Sequence, residues 1–453
     1  MNLEKTSRPG GKIPDSPVDP PEPIRLALLL GTAFFVTWGA GLQKAVPGVN
    51  LSRFFPFLAG LLVVYWLILG RRRFRAFPPV YNLFIFYVLA HTAVVYLVFF
   101  PGELTFGYTG VLYEQGGYTL AAPSRGIMVV RFFLFALAGY AVGALMKGRR
   151  ELRFFSLAYG IGFTLSLVLG GHVWVYLSRG FARVTGGFLN PNAMAIAGLV
   201  SCFLNLAVCL GPDSSRRLRA AGILLILTAL YGILAAVSRN ALFSLACGGL
   251  VVVFFLPLLK KVRWSLAGGC LLLLAVALLP TNILETIPGR LTLKDVQETR
   301  WSMRRDIWTD YLKQADSYFF LGLGVDRSTE AVRETFTTDS SGPLIPHQTY
   351  LQLLVEFGVV GLVFWLAVLA VFLKRGLRLA SAGPARMENA ALLGLLSAFT
   401  VYGMLGSILG ERSVWISLGV VAFVQNRLAG GPGDQDSAAR RPAIPPGEDA
   451  DGE

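Results

Sequence analysis

Arg300-Trp301-Ser302-Met303-Arg304-Arg305-Asp306-Ile307-Trp308-Thr309-Asp310-Tyr311 is the heart of a polar segment, from about Glu285 to His347, set between two long apolar runs. It closes with Pro346-His347-Gln348, where hydrophobicity resumes. The contrast with its flanks decides the fold class. Apolar runs of about 20 residues, the length a bilayer demands of a helix, recur along nearly the whole chain. The polar segment is therefore a long loop of a membrane protein.

Composition agrees. The 453 residues are 54% hydrophobic and 15% charged, against about 25% charged in globular domains. Mean hydropathy is +0.58. The net charge of +14 would suit nucleic acid, but the basic residues sit in short clusters between apolar runs, the pattern of cytoplasmic loops. A nucleic-acid partner is not expected. Cys202, Cys209, Cys247 and Cys270 all lie in apolar runs without a CxxC, so they read as small buried residues rather than a disulfide or zinc framework.

Residues 1–23 and 428–453 are rich in Pro, Gly and charge and are expected to be disordered cytoplasmic tails. The first apolar run lacks a small-residue cleavage site and is expected to remain as a span. The expected fold class is an all-α polytopic membrane protein of about 12 transmembrane helices, nine in residues 24–283 and three in 348–427, around one large outer loop, 284–347, that contains short helices. The spans read as Ile24 to Val46, Phe54 to Gly70, Val80 to Phe100, Gly126 to Met146, Phe154 to Leu177, Pro191 to Leu210, Leu218 to Val237, Asn240 to Leu259, Trp264 to Ile283, Gln348 to Leu373, Asn389 to Leu409 and Val414 to Asn426. Each even-numbered span exits into basic residues: Arg71 to Arg75, Lys147 to Arg153, Arg216 to Arg219, Lys260 to Arg263, and Lys374 to Arg386. The positive-inside rule then puts both termini in the cytoplasm and the Glu285 to His347 loop outside. A second outer loop, Pro101 to Arg125, is rich in Gly and Tyr.

The candidate chemistry lies on the outer side. Read as a helix, Arg300 to Leu312 puts Trp301, Arg305, Trp308 and Leu312 on one face, with Arg304 and Tyr311 at its edge and Asp306, Asp310 and Lys313 opposite. It reads either as an interfacial packing helix with snorkelling arginines or as a diphosphate site built on Arg304 with Arg305 or Arg300, whose guanidinium groups make bidentate, charge-assisted bonds. His347 begins a span, and a helix N-terminus favours the neutral imidazole that accepts a proton; the alternative is a capping histidine. His91 and His172 lie within spans and read as packing or pore-lining. Gln348, Gln352 and Glu356 form a polar stripe in which Glu356 lies about 13 Å below His347, with Arg131 as a possible partner for so costly an acid. Arg239 stands in Ser238-Arg239-Asn240, where Ser238 can cap the next helix and an anion would be welcome. Asn190-Pro191-Asn192 can cap span six or meet sugar hydroxyls. Leu321-Gly322-Leu323-Gly324 lacks the Lys and Ser/Thr of a phosphate loop and reads as a turn.

Four pieces carry a resemblance. Gly187-Phe188-Leu189-Asn190-Pro191-Asn192 comes first and Ser238-Arg239-Asn240 second. Arg304 with Trp308 and Leu321-Gly322-Leu323-Gly324 is third, and His347 with Tyr350, Glu356, Gly358 and Gly361 is fourth. In this order, with this span layout, the chain resembles the O-antigen ligase and polymerase superfamily of bacterial envelope enzymes. The resemblance implies a GT-C-like, metal-independent inverting glycosyltransferase with no cofactor, in the bacterial cytoplasmic (inner) membrane. Its donor would be an undecaprenyl-diphosphate-linked glycan, and its acceptor a glycan, lipid or protein hydroxyl. Carried over, Arg239 and Arg304 hold the diphosphate and His347 acts as general base or orients the acceptor; Arg300, Arg305, Asn190, Asn192, Gln348, Tyr350 and Glu356 complete the expected substrate site. Gln348 stands where the family commonly has Asn. Between the two tails there is no DxD or carboxylate cluster suited to Mg²⁺. The competing classes are a transporter or flippase of about twelve spans and a non-catalytic scaffold for envelope assembly.

Overall fold

The computed structural model of the chain describes residues 23–38, 54–69, 77–106, 108–115, 118–170, 185–188, 190–236, 238–257, 259–278, 306–332, 346–382 and 386–428. Residues 1–22 and 429–453, His172, and Arg300, Trp301, Arg304 and Arg305 lie outside them.

Helices dominate. They are α1 (Pro23–Phe35), α2 (Phe54–Leu69), α3 (Pro79–Val94, continued by a π turn Val95–Phe99), α4 (Arg125–Leu145), α5 (Arg149–Leu169), α6 (Pro191–Leu210), α7 (Arg216–Ala235), α8 (Arg239–Phe255), α9 (Lys260–Leu278), α10 (residues 306–313), α11 (Thr349–Ala382), α12 (Arg386–Leu405) and α13 (Arg412–Phe423). Among the described residues, seven helices are long and apolar enough to cross a membrane: α3 with its π turn, α4, α5, α6, α7, α11 and α12. Three shorter apolar helices lie in α1, α2 and α8.

Local chemistry sets several boundaries. Pro79 and Pro191 occupy first-turn positions, where proline's missing N–H costs nothing. The Ser215 hydroxyl accepts the Leu218 N–H at the start of α7. The fifth span starts at Arg149, inside the basic cluster, rather than at Phe154 as the hydropathy suggested. The reason is an ion pair that draws this turn into the fold. The buried Arg25 guanidinium donates to Glu151 and to the Leu145 carbonyl, while Glu151 also accepts the Lys147 N–H at 2.8 Å. Arg149 reaches Glu388 at 3.3 Å, tying α5 to α12 at the same end.

The core is a set of tight helix contacts. α13 lies against α4, α12 against α6 and α8, and α11 against α3 and α12. A Cβ on Gly139 would stand 2.1 Å from the Trp415 carbonyl oxygen and one on Gly419 would stand 2.0 Å from that of Gly139, so α4 and α13 touch backbone to backbone. Trp365 of α11 and Trp415 of α13, rings 5.8 Å apart, join Phe84 and Phe132 in a buried aromatic chain across four helices.

Two findings correct the sequence reading. The loop after α3 holds a two-stranded antiparallel hairpin, β1 (Tyr108–Gln115) and β2 (Tyr118–Pro123), so the described chain is helical but not all-α. Tyr, Thr, Val and Leu alternate with little charge there, as strands prefer. More consequential, the tenth span is not one helix. Gly358 has φ 67° and ψ −176°, which breaks α11 after Phe357.

The break strands carbonyls at the end of the first half-helix and N–H groups at the start of the second. Leu321-Gly322-Leu323-Gly324 supplies their partners. Leu323 N donates to Val355 O and Gly324 N to Glu356 O, each at 2.8 Å; Val359 N donates to Phe319 O at 2.7 Å. Tyr87 of α3 donates to the Phe357 carbonyl at 2.7 Å. The approach is so close that a Cβ on Gly358 would lie 2.1 Å from Phe320 O, and one on Gly322 would lie 2.5 Å from Gly358 N.

Gly358→Ala therefore forces both a strained φ and a backbone clash. It is expected to lower unfolding free energy by at least about 1–3 kcal/mol, read as a fall in thermal midpoint of the detergent-solubilised protein. Gly268→Ala, where a Cβ meets nothing within 4 Å, is expected to leave the midpoint in place.

Candidate active site

The site grows from the end of the bundle that carries His347. Asn190 caps α6 through the Asn192 N–H at 2.8 Å. The Asn192 side-chain oxygen accepts the Ser238 hydroxyl at 3.2 Å. Ser238 thus faces α6 instead of capping α8, as its position had suggested; no side-chain cap bond is made there. Arg239, half-buried, is the first residue of α8. Its other neighbour, Asn240, donates to the Leu405 carbonyl at 2.7 Å, in the turn between α12 and α13.

That turn receives the start of α11. Thr349 donates to the Gly406 carbonyl through both N (3.1 Å) and Oγ1 (2.8 Å), and its hydroxyl accepts the Ile408 N–H at 3.1 Å. Ser407 donates to the Gln352 side-chain oxygen Oε1, and the Gln352 side-chain amide nitrogen donates to Glu356 at 2.9 Å. Gln348 accepts the Leu351 N–H and so caps the half-helix. Tyr350 donates to the Thr400 carbonyl at 2.9 Å. His347 is exposed and left-handed, φ 49°, a region that histidine visits more readily than most residues. A hydrogen-bonded path thus runs from Asn190 through Ser238, past Arg239, and on through Asn240 and Gly406 to the helix that follows His347.

Glu356 lies at the inner end of this half-helix, 3% exposed. Its partners are Gln352, the Asp326 N–H and the Ser328 hydroxyl, which replace the pairing with Arg131 suggested by depth alone. Arg131 instead stands near Arg412.

The segment 306–332 roofs this end. Ile307 and Tyr311 are buried with Tyr318, Val332, Leu351 and Val355, with Trp308 packed beside them. Trp308 donates to the Pro346 carbonyl at 2.8 Å, directly before His347. The inward face of α10 is therefore centred on Ile307 and Tyr311, and Leu312, placed with Trp308 by the helical wheel, turns outward. Burial above all pushes the Tyr311 phenol up, with Glu356 and Tyr318 adding to it, so it is a protonated donor. A four-residue ion network pins the roof to the rest of the molecule. Arg125 and Arg327 each pair with Glu103 and Glu330. The Arg327 guanidinium also lies 3.3 Å from the Phe100 ring centroid. Burial pulls Arg327 down from its ordinary value, opposed by Glu330, and leaves it cationic.

The structure thus brings Asn190, Asn192, Arg239, Gln348, Tyr350 and the His347 turn to one end of the bundle. Glu356 it places deeper, at the helix break. Arg300, Arg304 and Arg305 directly precede the first described residue of α10. Among the described residues, no group of three His, Cys, Asp or Glu side chains is arranged to hold a metal ion. Sequence reasoning missed Thr349, the 406–408 turn, and Asp326 with Ser328. The turn's only signal was Gly406-Ser407 near the end of the span read as Asn389 to Leu409; nothing marked the other two.

Against known families, residues 224–366 match the family described as O-Antigen ligase. The matched range opens in α7 and closes in α11, so it includes Arg239, Arg304, His347 and Gly358. The match supports a membrane glycosyltransferase-like role. No curated protein matches the chain.

Two substitutions probe the geometry. Thr349→Val leaves the Ile408 N–H unsatisfied in a buried site and is expected to cost about 1–3 kcal/mol of stability, read by thermal unfolding. Trp308→Phe removes one bond to the Pro346 carbonyl. It is expected to lower activity several-fold while costing only about 0.5–1.5 kcal/mol, measured on the same purified protein.

Proposed function

Proceeding from the O-antigen ligase match, we propose that this chain transfers a glycan from undecaprenyl diphosphate to an acceptor hydroxyl at the outer face of a bacterial inner membrane, with both termini in the cytoplasm. The acceptor is a lipid A core, a growing polysaccharide, or another lipid or protein hydroxyl. The observation that supports this reading best is the position of the matched segment. It contains both the Ser238-Arg239-Asn240 turn and the His347 turn, and these meet through Asn240, Gly406 and Thr349.

In the proposed reaction the acceptor oxygen attacks the anomeric carbon from the face opposite the diphosphate. A carbon–oxygen bond forms to the acceptor as the anomeric carbon–oxygen bond to diphosphate breaks, inverting the centre. His347 takes the acceptor proton. The left-handed backbone at His347 and the Trp308 bond to Pro346 fix the turn that carries that imidazole, just before α11. Arg239 and Arg304 neutralise the leaving diphosphate, a charge that bidentate guanidinium groups match without a divalent cation. Arg300 and Arg305 extend the anion site, and Asn190, Asn192, Gln348 and Tyr350 face the sugar side. Glu356 acts at a distance, by fixing the half-helix that presents His347.

The break in α11 is the one observation that favours the runner-up, a lipid-linked glycan transporter, since interrupted helices are common at transporter sites. The two readings part on product: a transporter moves the glycan without changing its covalent linkage.

Arg239→Ala, Arg304→Ala and His347→Ala are each expected to reduce in vitro transfer by about 10²-fold or more, as losing one preorganised charge-stabilising group does elsewhere. The variants should insert and purify like the parent, and chelator should leave the parent's rate unchanged. Normal transfer by all three variants would sink the site.

A further inference from the structure

Two helices serve as rulers for how deep the Leu321-Gly322-Leu323-Gly324 turn lies. On α3 the span runs to Phe99. The His91 ring nitrogen Nε2 donates to the Leu321 carbonyl, and His91 lies eight residues, about 12 Å, below Phe99. On α11 the turn seals the break at Gly358, nine residues, or about 13 Å, below Thr349. From that lowest point the chain climbs along α3. Tyr96 donates to the Val325 carbonyl at 2.5 Å, and Arg327 stacks on Phe100 at the helix end.

Such a depth lies within the outer half of a hydrocarbon core about 30 Å thick. Irregular backbone survives there only when its polar groups are satisfied by protein. Protein supplies part of this at the tip: Gly322 N bonds to Tyr318 O, Leu323 N to Val355 O, Gly324 N to Glu356 O, Phe319 O accepts from Val359 N, and Leu321 O from His91. The side chains are a separate observation. Phe320 is 72% and Leu321 67% exposed, with no charge between Tyr318 and Val325. They continue the lipid-facing surface of the neighbouring span: Val360 and Val363, on the first turns below the break, are exposed and line a shallow apolar cleft with Val359 and Phe364.

We propose that Tyr318 to Val325 is a re-entrant element that enters the bilayer from the His347 end, and that Phe319-Phe320-Leu321 is a docking surface for the acyl chains of that leaflet. The long polar loop is then not wholly above the membrane. Its middle is wedged into the lipid, and the site beside His347 is held from below by a membrane-anchored tip. This inference does not depend on the glycosyltransferase reading.

The test uses the unaltered chain in nanodiscs of phosphatidylethanolamine and phosphatidylglycerol doped with a lipid carrying a photoactivatable diazirine on its acyl chain. After photolysis, mass spectrometry is expected to find carbene adducts on Phe319 to Leu321 at a yield comparable with Phe86 of α3, which is 70% exposed. Hydroxyl-radical oxidation of Phe320 should be undetectable. A spin label at Phe320→Cys, with the four native cysteines replaced by Ala, should collide more with oxygen than with a water-soluble nickel chelate. The reverse is expected for Lys313→Cys, whose side chain is 65% exposed. Oxidation of Phe320 without carbene adducts, or nickel accessibility at 320 equal to that at 313, overturns the proposal.

Discussion

A helix inside a membrane cannot simply stop. The interruption at Gly358 leaves backbone groups that lipid cannot satisfy, and the molecule is organised around satisfying them. Val355, Glu356 and Val359 all bond to the Phe319 to Gly324 turn. Two glycines make the contact possible, Gly358 and Gly322, both at positive φ and both closer to facing backbone than any side chain would permit. Everything above the seal follows from it. With the half-helix Thr349 to Phe357 fixed at its lower end, Thr349 and Gln352 engage the 406–408 turn at its upper end, and His347 precedes it in a backbone conformation that most residues avoid.

Charge is used differently at the two ends. At the end away from His347, Arg25 with Glu151 and Arg149 with Glu388 bind helices to one another, each ion pair having a side chain almost fully buried. At the His347 end, the Arg125, Arg327, Glu103 and Glu330 network fastens a loop, while Arg239 opens α8 between Ser238 and Asn240, which bond to Asn192 and the Leu405 carbonyl. The lower end is stapled.

Elements with a strong periodic or compositional signal were readable directly. Pro191 to Leu210 matches α6 at both ends, because Asn190-Pro191 starts a helix and Gly211 stops it. The site motifs at Asn190, Arg239 and His347 were readable as polar residues at span ends. The break at Gly358 was not, because a glycine in a long apolar run costs only about 1 kcal/mol and is commonly tolerated within a helix. The helical wheel put Leu312 with Trp308, but the Ile307 and Tyr311 face won because it meets Leu351 and Val355. The hairpin escaped because its strands are short beside the spans that surround them.

Sequence alone determined that the chain is a bundle of membrane helices with a long polar excursion, since bilayer thickness sets the length of apolar runs and charge marks their ends. It also named the residues at those ends. Tertiary structure alone decided which ends meet, that Glu356 answers to Asp326 and Ser328 rather than to Arg131, and that a turn read as idle completes a broken helix. Those outcomes depend on backbone groups far apart in the chain finding partners in a medium without water. Hydrogen-bond demand of that kind leaves no mark in side-chain periodicity.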